Sequence, residues 1–194
     1  MIKINPQRLD GIWQEGWALD LHTISSIPLP DGSFDTTRTA IGEMLYQLKY
    51  RFDRSQIQTI AVIASSFLQS QSFFPKLEGI VPVPPSDESR PFQPVLELAK
   101  AIGRKVNLPV YIGLVRKVRK TDLLKNVEDP ETRRKLLRGA FRVDDKSLKG
   151  KCVLLFDDLF RSGVTLSEVA RTLIQQGEVK EVYVMTITKT RTKR

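Results

Sequence analysis

The chain has a single cysteine, Cys152, and a single histidine, His22. One thiol rules out an intramolecular disulfide and a thiolate zinc cluster, so no zinc is expected and the fold must be held by packing alone. Cys152 lies in an apolar run and reads as an inert buried thiol. His22 has no nucleophile or ligand partner that can be named beside it, and reads as a surface or packing residue. Long hydrophobic runs are missing too. Met1-Ile2-Lys3-Ile4-Asn5-Pro6 lacks the apolar core of a leader, and no stretch approaches membrane-spanning length, so a reducing cytoplasm is the expected setting. There is no internal repeat and no low-complexity tract.

What is present suits one α/β domain. The 194 residues can bury a sizeable core with a small appendage, and a hydrophobic fraction of 41% argues for a globular chain. Lys and Arg total 31 against 22 Asp and Glu, a net charge of +9 that favours a polyanionic partner or substrate. Charge alone does not separate a phosphorylated metabolite from nucleic acid.

The most informative stretch starts at Cys152. Cys152-Val153-Leu154-Leu155-Phe156 is too short for a helix and reads as a strand buried on both faces. Asp157 and Asp158 close it. After Gly163 the apolar positions Leu166, Val169, Ala170 and Leu173 take a helical period, and Gly177 reads as the terminator. An acidic pair at the carboxyl end of a parallel strand stands where open α/β sheets bind ligands. The helix that follows offers free N–H groups to a phosphate, with Ser162 and Thr165 as further donors and Gly163 allowing close backbone approach. Adjacent carboxylates accept well from vicinal hydroxyls, so the two halves together fit a sugar 5-phosphate.

Other segments follow the same logic. In 11–21, Trp17, Leu19 and Leu21 alternate as in a strand, and Glu15-Gly16 reads as the turn of a small hairpin. Pro28-Leu29-Pro30-Asp31-Gly32 reads as another turn. Helical faces follow at Ile41, Met44, Leu45 and Leu48, and at Ile57, Ile60, Ala64 and Phe67. Gly79-Ile80-Val81-Pro82-Val83-Pro84 predicts a strand ended by proline, then a loop and a helix bearing Phe92, Val95, Leu96, Ala99 and Ile102. Residues 108–112 predict one more strand, 179–188 the last. Asp129 and Pro130 predict a helix start, and the tail 189–194 is basic.

The strand, the Asp157-Asp158 pair and the Ser162-Gly163-Val164-Thr165 loop resemble the phosphoribosyl-pyrophosphate (PRPP) signature of type I phosphoribosyltransferases. Leu48-Lys49-Tyr50 with Asp53, Val81-Pro82-Val83-Pro84 with Arg90-Pro91-Phe92-Gln93, and a basic segment leading to Gly139-Ala140-Phe141 narrow this to ComF-type proteins, a family linked to DNA uptake. The resemblance implies the type I phosphoribosyltransferase fold, with a mostly parallel central sheet and flanking helices. It also implies an N-terminal hairpin and helical extension over 1–75, and a core over 76–194 that includes a hood at 113–145.

By position, Asp157 and Asp158 would hold the ribose hydroxyls, while Phe160, Arg161, Ser162, Gly163, Val164 and Thr165 would wrap the 5-phosphate. Pro84, Pro85, Ser86 and Arg90 would meet the pyrophosphate. Arg116, Lys120, Thr121, Arg133, Arg134 and Arg138 would serve the hood, for an acceptor or for DNA. Mg2+ is the implied cofactor, without a direct protein ligand or through the two aspartates.

Departures from the family pattern carry expectations of their own. The N-terminal zinc cluster typical of the family is missing. Asp87 and Glu88 stand in the pyrophosphate loop, where many relatives carry basic residues, and they would repel that group unless a cation intervenes. A guanidinium at Arg161 cannot take a proton from a 6-oxopurine at neutral pH, which disfavours hypoxanthine or guanine as acceptor.

Nine basic residues between Arg116 and Arg138 make a solvated face, a lid over PRPP or a nucleic-acid surface, though without interleaved aromatics for stacking. Two functions are therefore expected to compete. One is a Mg2+-dependent phosphoribosyltransferase releasing pyrophosphate to an unidentified acceptor. The other is a non-catalytic module that binds single-stranded DNA or a DNA-processing protein; the resemblance also leaves room for a homodimer.

Overall fold

The computed structural model describes residues 2–85, 91–119 and 129–191. The first strands are β1 (Gln7–Arg8) and β2 (Glu15–Leu21), an antiparallel pair as expected, but the chain reverses before Glu15-Gly16 rather than at it. Trp13 explains the difference. Its indole N–H donates to the Leu9 carbonyl at 2.8 Å, and a Cβ on Gly16 would come within 2.4 Å of that nitrogen. Gly16 is therefore a strand residue that clears room for the ring.

A second hairpin, β3 (Thr23–Pro28) with β4 (Phe34–Arg38), reverses through the predicted proline-rich turn, where Asp31 Oδ1 accepts from the Ser33 amide at 2.9 Å. Thr39 then caps α1 (Ala40–Tyr50), its hydroxyl accepting from the Gly42 amide and donating to the Leu21 carbonyl. The helix α2 (Gln56–Gln69) follows, then β5 (Ile80–Pro82) and α3 (Pro94–Val106), ended by Asn107 in the left-handed region. Residues 108–112 form no strand; Val110 makes a single parallel bridge to Ile80, in part because Pro109 has no N–H to extend a ladder.

The predicted hood at 113–145 holds β6 (Val115–Lys117), α4 (Pro130–Leu137) and β7 (Phe141–Val143) among its described residues, and β6 pairs antiparallel with β7. Asp129 starts α4 as expected, accepting from the Thr132 amide at 2.7 Å. The last elements are β8 (Cys152–Phe160), α5 (Val164–Gln175) and β9 (Glu181–Lys189). After α5 it is Glu178, not Gly177, that takes a positive φ of 53°. Gly177 is needed for closeness instead, since a Cβ there would lie 2.8 Å from the Leu173 carbonyl oxygen.

The central sheet has the order β1-β2-β9-β8-β5, with all but β1 parallel. Because β2 pairs with β9, a boundary at 75 runs through this sheet rather than beside it. Core residues sit on both faces, as the continuous apolar runs of β8 and β9 require. One face packs Val153, Leu155, Val182 and Val184 against α5 and the hood strands. The other packs Leu154, Phe156, Tyr183 and Met185 against α1, α2 and α3. No helix among the described residues is long and apolar enough to cross a membrane.

Candidate functional site

The strand β8 outruns its apolar stretch and carries both aspartates into the open end of the sheet. Side chains alternate across a strand, so Asp157 shares the face of Val153 and Leu155, while Asp158 shares that of Leu154 and Phe156. At the strand end both nevertheless line one cavity of about 650 Å3, with Lys49, Phe92, Pro84 and Thr165 among its walls. The cavity thus joins the ends of α1, β5 and β8 to the starts of α3 and α5.

The two acids differ in environment. Asp158 is 6% exposed, and its Oδ2 lies 2.8 Å from the ammonium of Lys49. Burial alone would pull Lys49 down, but the charge and hydrogen bond of Asp158, with Asp157 behind them, raise its pKa above the usual lysine value. Asp157 accepts the backbone N–H of Asp158 through Oδ1 at 2.8 Å. Burial first, and the Asp158 charge second, push Asp157 up to about 7.

That shift has a sign. Asp157 holds its proton more tightly in the folded chain, so stability should fall as pH rises from the ordinary carboxylate range to about 7, and should stay reduced above it. Asp157→Asn is therefore expected to raise the melting temperature at pH 8 and leave it nearly unchanged at pH 4. An equal effect at both values, read by thermal unfolding, would contradict this environment.

The turn after the acids is shaped by two residues. Gly163 caps α5 with φ 71°, in the left-handed region, and a Cβ there would lie 2.8 Å from the ring of Phe160. Phe160 is 9% exposed and packs in the core, so it braces the turn and offers no polar side-chain group to a phosphate. Arg161 and Ser162 are exposed, Val164 is buried, and Thr165 is half-buried and lines the cavity. Pro84 and Pro85 also line it, whereas Ser86 and Arg90, like Asp87 and Glu88, lie outside the described residues.

Of the predicted hood residues, Arg116 and Arg138 have described side chains, and neither lines this cavity. Arg116 pairs with Asp144, which also holds Arg142 at 2.5 Å, and Arg116 lines a smaller cavity of about 260 Å3 beyond Pro84 and Pro85. The carbonyl of Arg138 accepts from Arg119 at 2.7 Å, and the neighbouring Gly139 amide donates to Glu168 of α5, tying the hood to the core. Lys120 and Thr121 lie outside the described residues, as do the side chains of Arg133 and Arg134 within α4. His22 meets its expectation as a packing residue: Nδ1 lies 3.1 Å from the Thr188 hydroxyl, and burial, then Arg38 and Lys49, lower its pKa.

The residue that sequence reasoning missed is Lys49. Leu48-Lys49-Tyr50 carried part of the family resemblance without a role, yet it delivers the cation of the site. One signal was available. Lys49 falls four positions after Leu45 and eight after Ile41, on the buried stripe of α1, where an unpaired lysine is not expected.

No family model matches the chain. Competence protein ComFC of Bacillus subtilis (strain 168) is 29% identical over 148 residues, which are 75% of this chain and 58% of that protein. Glutamine phosphoribosylpyrophosphate (PRPP) amidotransferase from B. subtilis, solved with ADP and GMP, superposes with a TM-score of 0.50 at 16% identity. The chain is therefore similar to ComFC over three quarters of its length and has the type I phosphoribosyltransferase fold. The chain spans little more than half of its curated relative, and the amidotransferase match covers 84% of this chain but 35% of the other.

Proposed function

We propose that this protein binds PRPP and transfers its phosphoribosyl group to an acceptor with release of pyrophosphate. The observation that carries the reading is one cavity bounded by Asp157, Asp158 and Thr165, two carboxylates and the first turn of α5. The acids accept the ribose hydroxyls, and the N-terminal amides of α5 with Thr165 receive the 5-phosphate. In the transfer, the bond from C1 to the pyrophosphate oxygen breaks with its electron pair leaving on pyrophosphate. A bond from C1 to the acceptor forms, and the acceptor loses a proton to solvent. The chain contributes by positioning and by screening charge.

Mg2+ fits these residues in partnership with the ligand. The Asp158 amide engages Asp157 Oδ1 and Lys49 engages Asp158 Oδ2, so that among the described residues one oxygen of each carboxylate is left to a ligand or cation. Among the described residues no group of three or more His, Cys, Asp or Glu side chains forms a metal cage. When bound, Mg2+ would stabilise the negative charge of pyrophosphate.

Calorimetry with Mg-PRPP tests the reading. Asp157→Asn with Asp158→Asn is expected to weaken binding about thirtyfold, from the loss of charge-assisted hydrogen bonds worth about 2 kcal/mol. Undiminished affinity in that variant would remove the assignment. A panel of bases and amines, scored for pyrophosphate release, would then identify the acceptor.

A further inference from the structure

Two adjacent carboxylates are an awkward floor for a phosphorylated ligand. Their charge repels it unless a cation stands nearby. Here one already does. The ammonium of Lys49 lies 2.8 Å from Asp158, and the two side chains are 22% and 9% exposed. Its position is built into the helix: Ile41, Leu45 and Leu48 pack the same side of α1 into the core and carry the lysine stem with them. Lys49 also occupies the last turn of α1, where the helix dipole favours a positive charge. An ammonium has three donors, so the bond to Asp158 leaves others for ligand oxygens.

We propose that Lys49 is the resident counter-cation of the diacid, so that a ribose phosphate occupies this site without a divalent metal. This rests on the reading of Asp157 and Asp158 as the diol-binding pair, and it adds a residue and a metal dependence to that reading. Lys49 is a positioning residue: it holds Asp158 in one orientation and offsets its repulsion of the incoming phosphate. Any divalent cation then belongs to the pyrophosphate half of PRPP.

Ribose 5-phosphate separates the two halves, because it carries the diol and the 5-phosphate but no pyrophosphate. Titrations of the full chain with ribose 5-phosphate in EDTA and in excess Mg2+ are expected to give the same affinity within about twofold, the spread of ordinary screening effects. Lys49→Met is expected to weaken binding in EDTA by about tenfold or more, and Mg2+ should recover part of that loss by replacing the missing charge.

The wild-type comparison needs no variant to fold. Wild-type protein that binds Mg-PRPP but takes ribose 5-phosphate only with Mg2+ would overturn the inference and keep the reading of the site. Lys49→Met protein, folded by circular dichroism and binding ribose 5-phosphate in EDTA as tightly as wild type, would overturn the role of Lys49 alone. Wild-type protein that binds neither ligand would overturn both.

Discussion

Lys49→Met should lower the unfolding free energy by about 3 kcal/mol, because it strands a carboxylate that the fold has removed from water. Asp158 has a side chain only 9% exposed, and Lys49 is its ion-pair partner among the described residues. That cost is at the low end for a broken buried pair, since the lysine side is 22% exposed and water reaches part of the gap. The reciprocal change should cost less. Asp158→Asn leaves an ammonium on a flexible four-carbon stem that can move toward solvent, whereas the aspartate is fixed to β8.

Replacing both, as Lys49→Met with Asp158→Leu, should recover most of the loss, since a buried pair contributes little net stability against an apolar substitute. Urea unfolding of the four proteins of this cycle measures the coupling. A cost for Lys49→Met below about 1 kcal/mol, or a double variant as unstable as the summed singles, would mean that the pair is solvated and that Asp158 does not depend on Lys49.

The same pair shows where sequence reading stopped. Strand β8, the acids, the turn and α5 are contiguous, and each is announced by its own chemistry: a branched apolar run, two carboxylates, hydroxyls with a glycine, a change of period. Their assembly into the end of a parallel sheet was legible for that reason. Lys49 belongs to another helix, and only packing of α1 against the sheet brings it to Asp158.

Elsewhere the misses have local causes. Ile24, Ile27 and Phe34 are exposed, so β3 and β4 lack the buried and exposed alternation by which a strand announces itself. Gly16 marked a turn by type, but the Trp13 ring needs the space its missing side chain leaves. Such a contact within one loop is invisible to residue propensity. The run 108–112 has strand composition but reaches the sheet edge only at Val110.

Gly163→Val is the other change with a large expected effect, roughly 3 kcal/mol of stability, and it tests the proposed phosphate half of the site as Lys49→Met tests the proposed diol half. Two penalties combine. A φ of 71° is one that a β-branched residue adopts only under strain, and the new Cβ would press on Phe160, 2.8 Å away. They are separable: Phe160→Leu should relieve the contact in a Gly163→Ala background but leave the backbone penalty of about 1 to 2 kcal/mol untouched.

Binding of ribose 5-phosphate should fall in Gly163→Val for a geometric reason. Twisting Gly163 out of its conformation re-aims the first amides of α5, which are the proposed donors to the phosphate. Gly163→Val protein with wild-type stability and wild-type affinity would show that the turn neither requires the left-handed conformation nor presents those amides. A variant that lost stability but kept affinity would move the phosphate elsewhere along the cavity, away from the start of α5.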